Sequence, residues 1–136
     1  MIACKHPELT FIFPMHPNPE IRKHKNILSS KNIHTIEPIA HDEMIKLMKN
    51  CKFIISDSGG IQEEASYLNK KVIVCRKTTE RPETLDTTSF MCMNPKNLEK
   101  LVDNINDNYI TSNKCPYGDG RAWLKIKEIF KNLSII

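Results

Sequence analysis

The sequence predicts an α/β fold: an open, doubly wound parallel sheet with helices on both faces. Three observations carry that expectation. Short apolar runs alternate with stretches of helical periodicity, the pattern of repeated βαβ units. Val72-Ile73-Val74-Cys75 is apolar throughout, as expected of a strand covered by helices on both faces. Phe53-Ile54-Ile55-Ser56 runs into Asp57-Ser58-Gly59-Gly60 and then into helix-forming Ile61-Gln62-Glu63-Glu64-Ala65, which reads as strand, tight turn and helix start.

The elements follow in order. Met1 to Pro7 reads as the end of a helix, because the strand Leu9–Phe13 comes almost immediately and is stopped by Pro14 and Pro17. Pro19 to Leu28 is expected to be a helix with Asn18 as N-cap and proline at its first position. Ile33 to Ile36 is a second strand. His41 to Asn50 is helical, with Met44, Ile45, Leu47 and Met48 forming an apolar stripe. Phe53 to Ser56 is the third strand, and the helix after it presents Ile61, Ala65 and Leu68 on one face. Val72 to Cys75 is the fourth strand, with Cys75 as a small core residue. A polar loop from Arg76 to Pro82 leads to an edge strand at Ser89 to Cys92. Leu98, Leu101, Val102 and Ile105 mark an amphipathic helix. Asn108 to Gly120 is turn-rich, and Trp123, Ile126, Ile129, Phe130 and Leu133 mark the last helix.

Bulk properties narrow the function classes. The length of 136 residues suits one domain, so residues 1–136 are expected to form a single domain. A chain 40% hydrophobic and 26% charged belongs with soluble globular domains rather than disordered ones. The net charge of +4 is mild, and its densest run, Arg22-Lys23-His24-Lys25, reads as a solvated helix face, so no nucleic-acid partner is expected. Five widely spaced cysteines without a Cys-x-x-Cys pair support neither a disulfide framework nor a metal site. No signal-peptide pattern and no apolar run near the roughly eighteen residues of a membrane span is visible. The expectation is a reduced, cytoplasmic protein without a membrane partner.

In open parallel sheets, ligands bind outside the carboxyl ends of the strands. The glycine turn, the Arg76–Pro82 loop and His16 all follow strands, so they are expected at one crevice. Unpaired N–H groups at the start of a helix suit a phosphate, and glycines leave room for one to approach. The competing reading is a plain strand–helix connection capped by Ser58. Glu64, one turn beyond Gly60, reads either as a ribose acceptor or as a solvated carboxylate. Arg81 reads either as a bidentate phosphate ligand or as a surface ion pair with Glu80 or Glu83. His16, flanked by Pro14 and Pro17, reads either as a crevice residue or as a turn residue only. No phosphate loop of the Gly-x-x-x-x-Gly-Lys type, dinucleotide fingerprint or nucleophilic triad is present.

Ser56-Asp57-Ser58-Gly59-Gly60-Ile61-Gln62-Glu63-Glu64-Ala65, Thr78-Thr79-Glu80-Arg81-Pro82-Glu83 and Pro116-Tyr117-Gly118-Asp119-Gly120 together resemble the non-hydrolysing UDP-N-acetylglucosamine 2-epimerases. Pro14-Met15-His16-Pro17-Asn18-Pro19 is similar to that family's Pro-x-His-x-Asn-Pro stretch. A Ser-Gly-Gly turn recurs in many nucleotide-sugar enzymes; its combination with Thr-Thr-Glu-Arg-Pro-Glu at this distance is the specific signal.

The resemblance implies two Rossmann-like domains in a GT-B-type arrangement, with the UDP-sugar between them. It implies that this chain is most of the C-terminal, nucleotide-holding domain, truncated at its N-terminus. Ser58, Gly59 and Gly60 would hold the diphosphate, Glu64 the ribose, and Arg81 would contact the nucleotide sugar. Met44 stands where the family has a phenylalanine beside the uracil, so a stacking face is lost. The family's His-Arg-Arg-Glu-Asn-type segment is absent, Cys115 stands where asparagine is common, and the acidic residues credited with proton transfer at the sugar's C2 belong to the N-terminal domain. No catalytic residue, metal or cofactor is therefore expected in this chain. The implied reaction interconverts UDP-GlcNAc and UDP-ManNAc, by elimination of UDP to 2-acetamidoglucal and re-addition, for polysaccharide biosynthesis. The partners implied are UDP or UDP-GlcNAc, an N-terminal domain or complementary chain, and a second copy joined through exposed apolar surface. The alternatives are a catalytically inactive UDP-binding module and, less favoured by Thr78–Glu83, a glycosyltransferase.

Overall fold

The computed structural model describes residues 2–111 and 114–134. Residues 112 and 113 of the expected turn-rich stretch, and Met1 of the expected opening helix, lie outside the described residues. The chain divides into two compact units, Met1–Leu47 and Met48–Ile136.

The first unit opens with a helical turn, α1 (Ile2–Lys5), and a strand, β1 (Phe11–Pro14), which starts two residues and ends one residue later than expected. β1 pairs in parallel with β2 (Ile33–Ile36), with Phe11 opposite Ile33 and Pro14 opposite Ile36. The Asn32 side chain joins these pieces: its amide nitrogen lies 2.9, 3.0 and 2.9 Å from the carbonyls of Ala3, His6 and Leu9. It thereby occupies carbonyls at the end of α1 that the helix cannot satisfy itself. Between the strands, the expected helix Pro19–Leu28 is broken. α2 covers only Pro19–Arg22, and a separate 3-10 turn covers Lys25–Leu28. Asn18 does cap α2, accepting from the Glu20 N–H at 2.9 Å. A helix of that length draws its stability from a buried face, and no residue of either piece is buried. α3 (His41–Asn50) begins in this unit and has the expected bounds.

The second unit is built on three parallel strands in the order β3 (Ile54–Ser56), β4 (Val72–Val74), β5 (Ser89–Met91), so Ser89–Met91 is the expected edge strand. Every residue of β4 is buried, which requires cover on both faces of the sheet and agrees with its wholly apolar sequence. The expected parallel sheet is thus realised as two hydrogen-bonded groups of strands, one in each unit. Cys75 corrects the core expectation. It is exposed, because β4 ends at Val74, and Cys92 is the buried thiol at the end of the neighbouring strand. α4 (Gly59–Tyr67) follows β3 and buries Gln62, Ala65 and Ser66. α5 (Leu98–Asp107) buries Val102 and Ile105, and α6 (Ala122–Asn132) buries nothing. No helix among the described residues is long and apolar enough to cross a membrane.

Candidate functional site

The site is built where β3 hands over to α4. Ser58 takes the N-cap position with extended backbone, φ −89° and ψ 131°, yet its side chain makes no capping hydrogen bond among the described residues. Its N–H instead donates to the Ser56 hydroxyl at 3.1 Å. The capping by Ser58 proposed for a plain connection is therefore not seen, and the first N–H groups of α4 have no side chain closing them. The first turn also carries no acidic residue to compensate the positive end of the helix dipole.

Gly59 and Gly60 are the first two residues of α4, and neither has a positive φ. No special turn requires them. A Cβ on Gly59 would sit 3.9 Å from a Glu80 carboxylate oxygen and 4.0 Å from the Arg81 guanidinium carbon, in ordinary van der Waals contact with the loop after β4. Conformational freedom is required at Gly118 and Gly120 instead, where φ is 94° and 77°.

The loop after β4 lies against this mouth. Arg81 donates from Nε to the Glu63 carboxylate on α4 and from Nη1 to the Glu80 carbonyl at 3.2 Å. The hydrogen bond to Glu63 and the Glu63 charge hold the guanidinium above its ordinary value, so it stays cationic. The Glu80 carboxylate is engaged elsewhere, in a two-pronged pair with Arg76 at 2.8 and 3.1 Å. Hydrogen bonding from Arg76 keeps it below the usual carboxylate range, and the pairing offsets a negative charge that would oppose an anion at the mouth. Of the pairings weighed for Arg81, neither the Glu80 nor the Glu83 carboxylate is the partner; Glu63 is.

Three further contacts tie these stretches together. The Thr79 hydroxyl donates to the buried Gln62 amide oxygen at 2.9 Å. The Thr84 hydroxyl lies 2.9 Å from that of Ser89 and 3.4 Å from that of Tyr117, joining the Pro116–Gly120 stretch to the Arg81 loop. Burial raises the Tyr117 phenol above its ordinary value. Ser58, Gly59, Gly60, Glu64 and Arg81 all lie in the second unit, with Glu64 half-buried on α4. Met44, half-buried on α3, and the exposed His16 belong to the first unit. Gln62, Glu63, Thr79 and Arg76 are the residues that motif reading passed over. Only Arg76 and Glu80, four apart, carried a local signal. No group of three or more His, Cys, Asp or Glu placed to hold a metal occurs among the described residues.

A parallel sheet with an open helix mouth and a basic loop at its strand ends is a Rossmann-like arrangement, the kind expected for the C-terminal half of a GT-B-type enzyme. The chain belongs to the UDP-N-acetylglucosamine 2-epimerase family, whose model matches residues 1–131. It is 40% identical over 139 residues to a UDP-N-acetylglucosamine 2-epimerase of Campylobacter jejuni, covering 95% of this chain and 36% of that protein. A Salmonella borreze UDP-N-acetylglucosamine 2-epimerase is 36% identical over 145 residues, covering 99% of this chain and 38% of the relative. Among solved structures, S. aureus MnaA with UDP superimposes with a TM-score of 0.88 at 34% identity, over 99% of this chain and 39% of that one. The Methanocaldococcus jannaschii UDP-GlcNAc 2-epimerase in complex with UDP-GlcNAc and UDP gives 0.83 at 33% identity, over 96% and 38%. The chain thus spans little more than a third of the length of the relatives it matches.

Proposed function

We propose that this chain is the nucleotide-holding portion of a UDP-N-acetylglucosamine 2-epimerase, with residues 1–136 forming one UDP-binding domain that corresponds to most of the C-terminal domain. With an N-terminal portion supplied, it interconverts UDP-GlcNAc and UDP-ManNAc by elimination of UDP and re-addition. Ser58, Gly59 and Gly60 receive the diphosphate at the start of α4, Arg81 contacts the nucleotide sugar, and Glu64 accepts from the ribose. The observation that carries this reading is the helix mouth itself: an uncapped α4 N-terminus with the Arg81 guanidinium carbon 4.0 Å from the Cβ position of Gly59.

The magnitudes define its share of the work. A helix N-terminus stabilises an anion by about 0.3–1 kcal/mol, and by about 2 kcal/mol in sheltered geometry. Enzymatic acceleration requires about 8–23 kcal/mol. Holding the departing diphosphate is a real contribution to the elimination, and the C2 proton must be moved by acid and base groups of the N-terminal portion. The chain alone binds UDP weakly and turns nothing over. The setting is cytoplasmic, in polysaccharide biosynthesis, without a cofactor, metal, nucleic acid or membrane. The apolar face that α6 leaves exposed supports a partner, either the complementary portion or a second copy.

The test is complementation. Mixing the chain with the N-terminal portion of the Campylobacter jejuni relative and UDP-GlcNAc should yield UDP-ManNAc by proton NMR. Association of the two portions without product would overturn the epimerase reading and leave a UDP-binding module.

A further inference from the structure

Gln62 is a polar side chain only 1% exposed, in the first turns of α4, and its partners are what make it informative. Its amide nitrogen donates back to the Ser58 carbonyl at 3.4 Å. Its amide oxygen accepts from the Thr79 hydroxyl at 2.9 Å, and that same hydroxyl oxygen accepts the Arg81 backbone N–H at 3.1 Å. Three hydrogen bonds in sequence therefore connect the Ser58 carbonyl at the helix mouth to the backbone of Arg81.

The chemistry of each link restricts what can stand there. The Thr79 hydroxyl has one hydrogen, spent on Gln62, and lone pairs left to accept from Arg81. Gln62 needs a donor and an acceptor on one side chain, which an amide provides and a carboxylate or an alkyl group does not. Because Gln62 is buried and Thr79 half-buried, losing the Thr79 hydroxyl leaves the Gln62 amide oxygen without its partner in a place that water does not readily reach. Glu63, the next residue of α4, then fixes the far end of the same arginine at its guanidinium. Consecutive residues of one helix thus bear on Arg81, Gln62 on its backbone through Thr79 and Glu63 directly on its side chain.

We propose that Thr79, acting with Gln62, is a positioning residue that sets the Arg81 loop against the mouth of α4. It prepares the cation for the diphosphate before any ligand arrives. The inference rests on the reading of Arg81 as a nucleotide-sugar contact, and it specifies how that contact is placed. Neither Thr79 nor Gln62 needs to touch the ligand for this.

The test is UDP titration by calorimetry on the whole chain and its variants, with circular dichroism to confirm folding. Thr79→Val keeps the shape and removes the hydroxyl; it should weaken UDP binding by about 2- to 10-fold. Thr79→Ser keeps the hydroxyl and loses the methyl, and should bind within about twofold of wild type, the opposite order to that of a packing role. Gln62→Met should lose about as much as Thr79→Val, which keeps the test alive should one variant fail to fold. On an Arg81→Ala background, Thr79→Val should cause no further loss. Wild-type affinity in both Thr79→Val and Gln62→Met, or a full additional loss on the Arg81→Ala background, overturns the proposal. Amide exchange of Arg81 separates this from the function itself. Should wild type not bind UDP, the proposed function fails, while faster Arg81 N–H exchange in Thr79→Val but not in Thr79→Ser still supports the link. Unchanged exchange in both refutes it.

Discussion

α5 and α6 are amphipathic helices of ten and eleven residues in the same unit, and they meet opposite fates. α5 places Val102 and Ile105 against the sheet at 0% and 1% exposure. α6 carries a richer apolar face, yet Trp123 and Leu133 stand 60% and 63% exposed, and Ile126, Ile129 and Phe130 are exposed with them. Burial of a side chain of this size contributes about 1.5–3 kcal/mol, so α5 contributes to the stability of the unit through its apolar side and α6 does not. Apolar periodicity states that a face requires cover; it does not state which chain provides it. The relatives run to more than twice the length of this chain, and we read α6 as a face reserved for a partner.

The largest expected effect comes from breaking the comparison at its buried end. Ile105→Ala should destabilise the chain by about 2–5 kcal/mol in urea unfolding, whereas Ile129→Ala should stay within about 0.5 kcal/mol. Equal costs for the two would show that α6 is covered in solution by this chain itself. A smaller effect should appear in assembly. Replacing Ile126 and Phe130 with glutamate should reduce self-association in light scattering over a wide concentration range without lowering the thermal midpoint. A wild-type chain that is cleanly monomeric throughout would contradict the exposed face as a site of self-association. The single tryptophan, Trp123, reports on the same surface. Its emission should be that of a solvated indole in the chain alone and should shift to the blue when a complementary portion is added.

The smallest effect belongs to Cys75. Burial, with Cys92 and Asp57 beside it, pushes its thiol up to about 11 from about 9. The unfolded chain then ionises first, so the thiol's contribution is fully present below about pH 9 and is lost as pH rises toward about 11. The residue as a whole is exposed, and solvent screening makes the fall shallow. Cys75→Ala should flatten the alkaline limb of the stability profile; an unchanged limb would place its origin elsewhere.

What was legible in the sequence was the part governed by local pattern. Ile33–Ile36 and His41–Asn50 have the observed bounds because periodicity and flanking prolines act within a few residues. The central strand declared itself through Val72, Ile73 and Val74, since only a doubly covered strand is apolar on both faces. The helix expected at Pro19–Leu28 failed because its capping signals were sound but no buried face was available to extend it past Arg22. The glycine turn was located correctly, but of its two expected uses the sharp turn is not needed: Gly59 and Gly60 have helical backbone without a positive φ, and a Cβ at either would make only ordinary van der Waals contact. Glu63 and Thr79 were invisible as partners of Arg81 and Gln62. Contacts 17 and 18 residues apart follow from where the fold returns the loop, and no spacing rule encodes them.

The most direct measurement is calorimetric titration of the folded chain with UDP. A saturable heat in the millimolar range, about −4 kcal/mol of binding free energy, lost on Arg81→Ala, is the result expected of a nucleotide-holding portion. No heat at millimolar UDP from a chain shown to be folded would contradict it.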